Sequence, residues 1–347
     1  MRTKSRNLTL KDMAEHLCVS TATVSNAFNC PSQLSKELRE HILAECRALG
    51  YLGPNAAARS LRTGRTGIIG VTLSNYLSYT FTDPVANQFL QGLAEVFESR
   101  EYSLLVMPSR DPMKEAKGYE SFVDGFIVYG PPQRQTLERL IHQHKSIITV
   151  DFDIDGYVSV NIDNYNSARE CAVHALKNTV GDVAILGLRI VDSNYVCRIQ
   201  QRELLRADST ITIQRLRGFL DAIEGAGMTM AAERIWHVPD NTHALGYQAA
   251  REALMCSPRP QLLLCMSDRI ALAAMQAARH LDLKVPEDVR ITGFDDIPES
   301  CTHHPSLTTV HQQSVGKGTI AAEIFLGQRE EESVVVPTEL VVRESCP

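Results

Sequence analysis

From Gly67 onward the chain alternates between two kinds of segment, and this alternation restricts the fold more than any other feature. Short apolar runs rich in β-branched residues include GIIGVTL, YSLLVMP, DGFIVYG, SIITVDF, DVAILGL, PQLLLCM and VRITGF. Between them lie six stretches with apolar residues at helical spacing, which are VANQFLQGLAEVFESR, LERLIHQH, NSARECAVHALKN, RLRGFLDAIEGAG, THALGYQAAREAL and RIALAAMQAARHLDL. Strand–helix alternation of this kind predicts parallel sheets covered by helices on both faces. Two such halves would place a ligand cleft at the carboxyl ends of their strands.

Residues 1–60 have a different pattern, which predicts short helices only. Thr9 with Asp12 three residues later resembles a capping box, and Ser20 can cap a second helix that follows after a short turn. A third helix is predicted from Ser35 to about Leu49. The apolar positions expected to form a small core are Leu10, Met13, Ala14, Leu17, Val19, Val24, Ala27, Phe28, Leu38, Ile42, Leu43, Cys46 and Leu49. This arrangement is a helix-turn-helix.

The exposed start of the second helix is suited to reading DNA. It carries small or hydrogen-bonding side chains, namely Thr21, Ala22, Thr23, Ser25 and Asn26. A helix with such a face can enter a major groove, which is about 12 Å wide. Residues 1–66 hold ten Lys and Arg against five Asp and Glu, whereas the rest of the chain holds 25 against 36. A basic first part on an acidic body indicates a polyanionic partner for the first part, although a small helical bundle with a polar face remains an alternative.

Composition argues against several other classes of protein. The N-terminus lacks the apolar stretch of an export signal, and no apolar run reaches the roughly 18–20 residues of a membrane helix. The nine cysteines are scattered without a Cys-x-x-Cys pair, which favours reduced, buried thiols in a cytoplasmic protein. No nucleophile elbow, phosphate loop or His-Glu-x-x-His pattern is present, and the pair His303–His304 lacks a third ligand. We therefore predict no catalytic residue, no cofactor, no metal and no membrane contact.

Three segments carry a resemblance to a known family. LTLKDMAEHLCVSTATVSNAFN, LREHILAECRALGY and PNAAARSLRTGRTGIIGV resemble the LacI/GalR family of bacterial transcriptional regulators. The resemblance implies an N-terminal all-α helix-turn-helix domain and an α/β periplasmic-binding-protein-like sensor of two parallel-sheet halves. It divides the chain into a DNA-binding head at residues 1–50, a linker with a hinge helix at 51–66, and a sensing and dimerisation domain at 67–347, with three crossovers between its halves.

The resemblance also implies roles for the head and the hinge. Thr21, Ala22 and Asn26 would read bases, while Ser20, Thr23 and Ser25 would hold phosphates. The hinge helix would fold only on the operator, where two copies meet in the minor groove. Its expected contacts are Asn55 and Arg59 on the groove or backbone, Ala58 at the close approach, and Leu61 as a wedge between base steps.

The head departs from the family at four positions. Asn26 stands where arginine is common, which moves the expected base contact from guanine towards adenine or towards a weaker, water-mediated contact. Cys18 and Cys30 stand where glycine is usual, so local backbone strain is expected at both. Gly53 lengthens the approach to the hinge by one residue.

The body resembles the family's sensor in VDGFIVYG, SVNIDN, RLRGF, LCMSDRIALAAMQAARHLDLKVPEDVRITGFDDIP and PSLTTVHQ. Carried over residue by residue, the resemblance implies an effector site of Tyr79, Phe81, Asp151, Arg215, Ser267, Asp268, Asp295 and Gln312. Carboxylates at 151 and 295 would accept hydrogen bonds from ligand hydroxyls, and Arg215 would donate several. For Asp268 helix capping is the favoured alternative, and Asp296 is expected to be structural. Residues 189–212 form a longer and more polar connection than is usual, in which Tyr195 and Arg198 are further candidates.

These expectations predict a ligand-responsive, sequence-specific regulator of transcription. It would bind a pseudo-palindromic, double-stranded operator as a homodimer, with repression as the family expectation and a sugar or nucleoside as effector. Two other classes remain open. One is a soluble sugar-binding protein without DNA function, which a lack of retardation of DNA in gels would favour. The other is a cleft enzyme, which turnover of the ligand would favour.

Overall fold

A computed structural model of the chain describes residues 8–53, 64–108, 118–177, 179, 181–200 and 211–347. The chain divides into two compact units. The first comprises Met1–Ile68 together with Ser121–Asp124, and the second comprises Ile69–Glu120 with Gly125–Pro347. The functional boundaries at residues 50 and 66 stay a prediction.

The first unit contains the three predicted helices. They are α1 (Leu10–His16), α2 (Thr21–Asn29) and α3 (Lys36–Ala48), with a 3-10 turn at Pro31–Gln33 before α3. The capping box of α1 is confirmed, because the Asp12 amide donates to the Thr9 hydroxyl at 3.2 Å and the Thr9 amide donates to the Asp12 carboxylate at 2.8 Å. Ser20 and Ser35 cap the other two helices, so each start that the sequence predicts is the observed one.

A small apolar core closes this unit. It consists of Met13, Ala14, Val24, Ala27, Ile42, Cys46 and Tyr51. The prediction was wrong for Leu38 and Leu49, which are 36% and 42% exposed. Leu34 and Tyr51, which flank α3 in the sequence, contact the core instead.

The three unusual residues of the head behave differently. Cys18 has φ 53°, so the expected left-handed backbone is confirmed in the turn after α1. Cys30 has φ −138°, which lies outside the left-handed region, so the strain expected there is absent. Gly53 has φ 116°, and a Cβ at this position would lie 3.1 Å from the Phe28 ring. Glycine at 53 therefore satisfies both the backbone and the packing.

The strands of the described chain are β1 (Ile68–Leu73), β2 (Ser103–Pro108), β3 (Gly125–Tyr129), β4 (Ser146–Val150), β5 (Val158–Ile162), β6 (Val183–Gly187), β7 (Cys197–Arg198), β8 (Ile235–His237), β9 (Leu262–Cys265), β10 (Arg290–Thr292), β11 (Thr309–His311), β12 (Val334–Val336) and β13 (Glu339–Val341). All seven predicted strands are confirmed. The sequence pattern did not identify β5, β7, β8 and β11–β13 as strands.

The strands form two main sheets, as predicted. The first has the order β12-β5-β4-β3-β1-β2 and the second β10-β9-β6-β8-β7, while β11 and β13 form a separate antiparallel pair. Pairing runs parallel from β12 through β5, β4 and β3 to β1, and from β10 through β9 and β6 to β8. Among the described pairings of the two main sheets, the edge strand β7 alone is antiparallel to its neighbour, β8. We call the two sheets with their helices the first and second halves.

Helices cover the sheets. They are α4 (Leu77–Thr80), α5 (Pro84–Glu98), α6 (Arg134–Ile141), α7 (Asn164–Leu176), α8 (Ile211–Gly225), α9 (His243–Leu254), α10 (Asp268–His280), α11 (Pro298–Thr302) and α12 (Ser314–Phe325). The main helix pairs are α5 with α12, α7 with α8, and α9 with α10. The six helices predicted in the body are confirmed, whereas α12 was missed. No helix in the described ranges is long and apolar enough to span a membrane.

The cysteines are free thiols of mixed exposure. Four of them, Cys46, Cys171, Cys265 and Cys346, are buried as expected. Cys18 and Cys301 are exposed, so the expectation of buried thiols was wrong for these two.

Candidate functional site

The start of α2 presents the predicted recognition face to solvent. Thr21 and Ala22 are exposed, and the Ser20 hydroxyl lies 2.8 Å from the Thr23 hydroxyl while it accepts the Thr23 amide at 3.0 Å. Asn26 donates from its side-chain amide to Gln33 Oε1 at 2.8 Å. Gln33, which sequence reasoning did not select, thus orients the side chain expected to read a base. The DNA contacts themselves stay a prediction.

Four of the remaining DNA-binding candidates belong to the predicted hinge. Asn55, Ala58, Arg59 and Leu61 lie outside the described residues. Ser25, by contrast, is described: its backbone carbonyl accepts a hydrogen bond from the Asn29 side chain at 3.0 Å, and its side chain is half-buried beside that contact.

A continuous row of polar side chains crosses the second unit between its two halves. It begins at Asp151, directly after β4, whose carboxylate receives the Lys317 ammonium at 2.9 Å and 2.7 Å. The same ammonium donates to Gln312 Oε1 at 2.9 Å, and Gln312 Nε2 donates to Asp295 Oδ1 at 2.7 Å. Gln312 therefore connects a carboxylate of the first half with one of the second.

Arg215 continues this row within the second half. Its Nη1 lies 3.5 Å from Asp295 Oδ1 and donates to the Met266 carbonyl at 2.7 Å, and its Nε donates to Asn164 Oδ1 at 2.9 Å. The guanidinium carbon is 3.5 Å from the centroid of the Phe294 ring, which is a cation–π contact. This buried side chain is thus held by several specific partners. We call Asp151, Lys317, Gln312, Asp295, Arg215 and Asn164 the polar row.

The backbone is strained where the two carboxylates leave their strands. Asp151 has φ 64° and Asp295 has φ 131°, both in the region that L-residues avoid. Such conformations cost on the order of 1–3 kcal/mol each and concentrate at functional sites. Backbone strain at both carboxylates of the row supports a role in ligand binding rather than in packing alone.

Burial dominates the electrostatics of the row. It raises the pKa of the Asp295 carboxyl well above its usual range, while the neighbouring Arg215 opposes that rise. It likewise lowers the pKa of Arg215, against the attraction of Asp295 and Asp151. Burial, followed by the nearby Asp151 charge, also raises the pKa of Tyr129 at the end of β3. The row is therefore a low-dielectric site in which each charge depends on its partner.

A second set of contacts joins the two halves at the rim, by which we mean residues 79–83 of the first half and residues 240–243 with Arg269 of the second. Arg269 on α10 donates to the Asn241 carbonyl at 2.9 Å and to the Thr82 carbonyl of the first half. The Tyr79 hydroxyl donates to the same Asn241 carbonyl at 3.4 Å, and its ring lies 5.7 Å from the Arg269 guanidinium. Phe81, at the end of this segment, is 60% exposed.

Proteins of known sequence and structure share this architecture. Residues 203–346 match the periplasmic binding protein-like domain family. The chain is 33% identical over 331 residues to the HTH-type transcriptional regulator Rv3575c of Mycobacterium tuberculosis, with 93% of this chain and 92% of that protein covered. The chain belongs to the LacI/GalR family. It is thus a ligand-responsive, DNA-binding transcriptional regulator, as predicted.

Other relatives agree with this assignment. The HTH-type transcriptional regulator IpsA of Corynebacterium glutamicum is 28% identical, over 98% of this chain and 96% of that protein. The lac repressor dimer bound to operator and the anti-inducer ONPF has the same fold, with a TM-score of 0.77, 22% identity and coverage of 98% and 99%. The transcriptional regulator CelR in complex with cellobiose has a TM-score of 0.67 at 24% identity, with 97% and 99% covered. These curated relatives are regulators rather than enzymes.

In this regulator the predicted effector residues separate into those that join the polar row and those that do not. Asp151, Arg215, Asp295 and Gln312 join it. Asp268 does not, because its carboxylate accepts the Ile297 amide at 2.9 Å, the Ser300 hydroxyl at 2.7 Å and the Thr309 hydroxyl. These contacts favour a structural role for Asp268, distinct from helix capping, and its effector role stays a prediction.

Ser267 is the residue that caps α10. Its hydroxyl accepts the Ile270 amide at 3.2 Å and donates to Asn241 Oδ1 at 2.7 Å. These contacts favour an indirect role for Ser267, through the orientation of Asn241, and its effector role stays a prediction. Tyr79 and Phe81 reach the rim rather than the row.

Asp296, Tyr195 and Arg198 make their contacts outside the polar row. Asp296 pairs with Arg343 at 2.7 Å and with His311 at 2.9 Å, in agreement with a structural role. Tyr195 is 80% exposed, and Arg198 contacts Cys256 Sγ at 3.1 Å and the Trp236 ring. Across the described ranges no three His, Cys, Asp or Glu side chains are grouped to hold a metal ion.

Sequence reasoning missed Lys317, Tyr129, Asn164, Asn241 and Arg269. Two signals were available. Asn164 is the last residue of the SVNIDN segment and the first of α7, and Arg269 directly follows the MSD segment, so both lie in or beside segments already selected. For Lys317 the signal is a single lysine inside the otherwise uncharged run SVGKGTIAA, where a buried cation needs a carboxylate partner.

Proposed function

We propose that this regulator acts as a homodimeric repressor that binds a pseudo-palindromic operator and changes its DNA affinity when a small molecule occupies the cleft around the polar row. Residues 1–50 would read the half-site, residues 51–66 would form the hinge, and residues 67–347 would sense the ligand and dimerise. The observation that carries the proposal is the convergence of Asp151, Gln312, Asp295 and Arg215 from both halves in one buried row.

The DNA-binding part of the proposal is supported by the head. Its net charge is positive, and its α2 exposes Thr21 and Ala22, neither of which belongs to the apolar core of the head. Several relatives are named repressors, including the repressor PurR of Proteus mirabilis at 29% identity. The lac repressor is a dimer on its operator in the solved structure of the same fold.

The chemistry of the row supports a polyhydroxylated ligand. Carboxylates accept hydrogen bonds from hydroxyls, a guanidinium donates several, and the nearby Tyr129 ring offers a stacking surface. A sugar or a nucleoside fits this donor and acceptor set. Cellobiose and ribose are bound by two structural neighbours of the same fold.

We also propose that the cleft binds its ligand without turnover. The support is that the curated relatives are named transcriptional regulators. In addition, Asp151 and Asp295 already have charged partners, Lys317 and Arg215.

Selection of genomic DNA fragments by the purified full chain, followed by gel retardation, tests the DNA-binding half. We expect specific fragments to be retarded at moderate salt, and the double variant Thr21→Val/Asn26→Ala to lose at least about tenfold in affinity, since a lost base contact costs about 1–3 kcal/mol. Glu40→Gln on the exposed side of α3 is the control. No retardation at any salt concentration would instead favour a binding protein without DNA function.

A thermal-shift screen of sugars and nucleosides tests the sensing half. A ligand that raises the melting temperature should also change operator affinity by about 5- to 150-fold, which corresponds to a coupling of 1–3 kcal/mol. Leu61→Ser should weaken operator binding without affecting ligand binding, because the wedge belongs to the hinge and not to the cleft. Equal operator affinity in that variant would remove the wedge from the proposal.

A further inference from the structure

The ammonium of Lys317 occupies a complete binding cage. Lys317 Nζ is fully buried and lies 2.9 Å and 2.7 Å from the two oxygens of Asp151 and 2.9 Å from Gln312 Oε1. An ammonium has three donors and no acceptor, so these three oxygens satisfy it completely. The centroid of the Tyr129 ring is 5.7 Å from the same nitrogen, within the range of a cation–π contact.

This set of groups is the one that recognises an alkylammonium ion of any origin. A carboxylate supplies the counter-charge, an amide oxygen supplies a neutral acceptor, and an aromatic face contacts the alkyl or cationic surface. The cage lies at the first-half end of the polar row, in the cleft that we propose as the effector site. The side chain that fills it comes from α12, whose buried residues also include Gly318, Ala321 and Ala322.

The four charges of the row are balanced. Asp151 is paired with Lys317, and Asp295 is paired with Arg215. A second ammonium at the Asp151 carboxylate would lie beside the Lys317 ammonium in a buried site, where like charges strongly disfavour each other.

We propose that this cage is an ammonium site which the protein fills with its own lysine, and that Lys317 is thereby the specificity-determining residue that excludes cationic ligands, such as amino sugars, from the cleft. This proposal depends on one part of the proposed function, namely that the cleft binds a ligand. Removal of the lysine side chain should convert the Asp151 end of the cleft into a site for a primary alkylammonium ion.

The test uses the full chain with Lys317→Ala and n-propylammonium chloride, which supplies the atoms that the substitution removes. The matched probe is n-propanol, which has a similar shape but no charge. We expect n-propylammonium to raise the melting temperature of Lys317→Ala in a saturable manner. Its affinity should be at least about tenfold above that of n-propanol, because its hydrogen bonds to the Asp151 carboxylate are charged and therefore stronger than those of a neutral alcohol. Experiments are run in amine-free buffer at about pH 7 with sodium chloride as the ionic-strength control.

Two further proteins complete the comparison. Wild-type protein should show no response beyond the salt control, because its cage is filled, and Asp151→Asn/Lys317→Ala should lose the preference for n-propylammonium over n-propanol. The proposal is overturned if Lys317→Ala responds equally to both probes, if it responds to neither, or if the double variant keeps the preference.

A second pair of variants covers the case in which Lys317→Ala does not fold. Lys317→Met retains the apolar stem and leaves Asp151 unpaired, whereas Asp151→Asn/Lys317→Met removes both charges. We expect the double variant to have the higher melting temperature, since one unpaired buried charge is worse than none. The reverse order would overturn the proposal. None of these measurements involves DNA, so their failure is distinguishable from failure of the proposed regulatory function.

Discussion

His237, at the end of β8, holds the segment that follows β6 through both of its ring nitrogens. Nδ1 lies 3.0 Å from the Ile190 amide and 3.3 Å from the Val191 amide, so it accepts, while Nε2 donates to the Ser193 carbonyl at 3.1 Å. This pattern requires a neutral ring in one tautomer. Burial lowers the pKa of His237, and the Ser193 carbonyl opposes that shift.

The lowered pKa of His237 gives a signed dependence of stability on pH. The unfolded chain binds the proton more readily than the folded one, so the contribution of His237 is complete above its ordinary pKa of about 6.5 and is lost as the pH falls towards the folded-state value. We expect the free energy of unfolding of wild-type protein to fall between about pH 7.5 and pH 5 more steeply than that of His237→Gln. Urea titrations at both pH values measure this, and parallel losses in the two proteins would contradict it.

Asp268 provides a second prediction for a single residue. Asp268→Asn keeps the shape but replaces one acceptor oxygen by an NH2 donor, which would face either the Thr309 hydroxyl at the Oδ1 position or the Ile297 amide and Ser300 hydroxyl at the Oδ2 position. We expect a loss of about 1–3 kcal/mol in the free energy of unfolding, the cost of a buried polar group without a partner. Asp192→Asn, at a fully exposed carboxylate, is the control and should change stability by less than about 0.5 kcal/mol. An Asp268→Asn protein as stable as the control would favour the effector role of Asp268 instead.

Among the elements, the crossing of α5 and α12 depends on two glycines. A Cβ at Gly92 would lie 2.0 Å from the Val315 carbonyl oxygen, and one at Gly318 would lie 2.2 Å from the Phe89 carbonyl oxygen. The two backbones therefore approach so closely that neither helix can carry a side chain at the crossing. This approach fixes the position of α12, and with it the depth at which Lys317 reaches Asp151.

Gly92→Ala should therefore separate the two helices. We expect a destabilisation of at least about 1–3 kcal/mol, as for other overpacked cores, measured by chemical denaturation. Gly225→Ala is the matched control, because Gly225 is also helical but has no atom within 4 Å of the added Cβ. That variant should gain about 0.4–1 kcal/mol, since alanine restricts the unfolded chain. Equal effects in the two variants would contradict the close crossing.

The elements themselves were largely predictable, and the exceptions have physical causes. Buried parallel strands are continuous apolar runs, so β1–β4, β6, β9 and β10 stand out in the sequence. The strands β7, β8 and β11–β13 have only two or three residues each, too few for a periodic signal. α12 escaped because its two glycines and its lack of a polar face hide the helical period, and both properties follow from its burial against α5.

Across the whole molecule, the polar row could be predicted only in part. Strand-end carboxylates and the arginine of RLRGF were accessible, because parallel strands bring their carboxyl ends to one edge of each sheet. The pairing of Asp151 with Lys317 was not, since it joins residues 166 positions apart and depends on where α12 crosses α5. The role of Asp268 could not be decided from the sequence, because a carboxylate after a strand has the same local pattern whether it faces the cleft or the interior.

Arg269 is the residue whose removal should loosen the closure of the two halves. Its guanidinium donates to the Asn241 carbonyl of its own half and to the Thr82 carbonyl of the other, and it lies beside the Tyr79 ring. Arg269→Met keeps much of the stem but removes these donors, of which the bond to Asn241 is partly buried and the bond to Thr82 is exposed and weakened by water. Arg279→Met, an exposed site on the same helix, is the control.

Hydrogen exchange measures this loosening directly, because amides exchange through local opening. In Arg269→Met we expect faster exchange in residues 79–83 and 240–243, on the two facing rims, with unchanged exchange in the core strands β1 and β9. Faster exchange everywhere would indicate general destabilisation, and no change at the rims would show that Arg269 does not hold the halves together. We further propose that a ligand acts on DNA by moving the two halves relative to each other, so the same variant should also shift operator affinity in the absence of any ligand, whereas the Arg279→Met control should not.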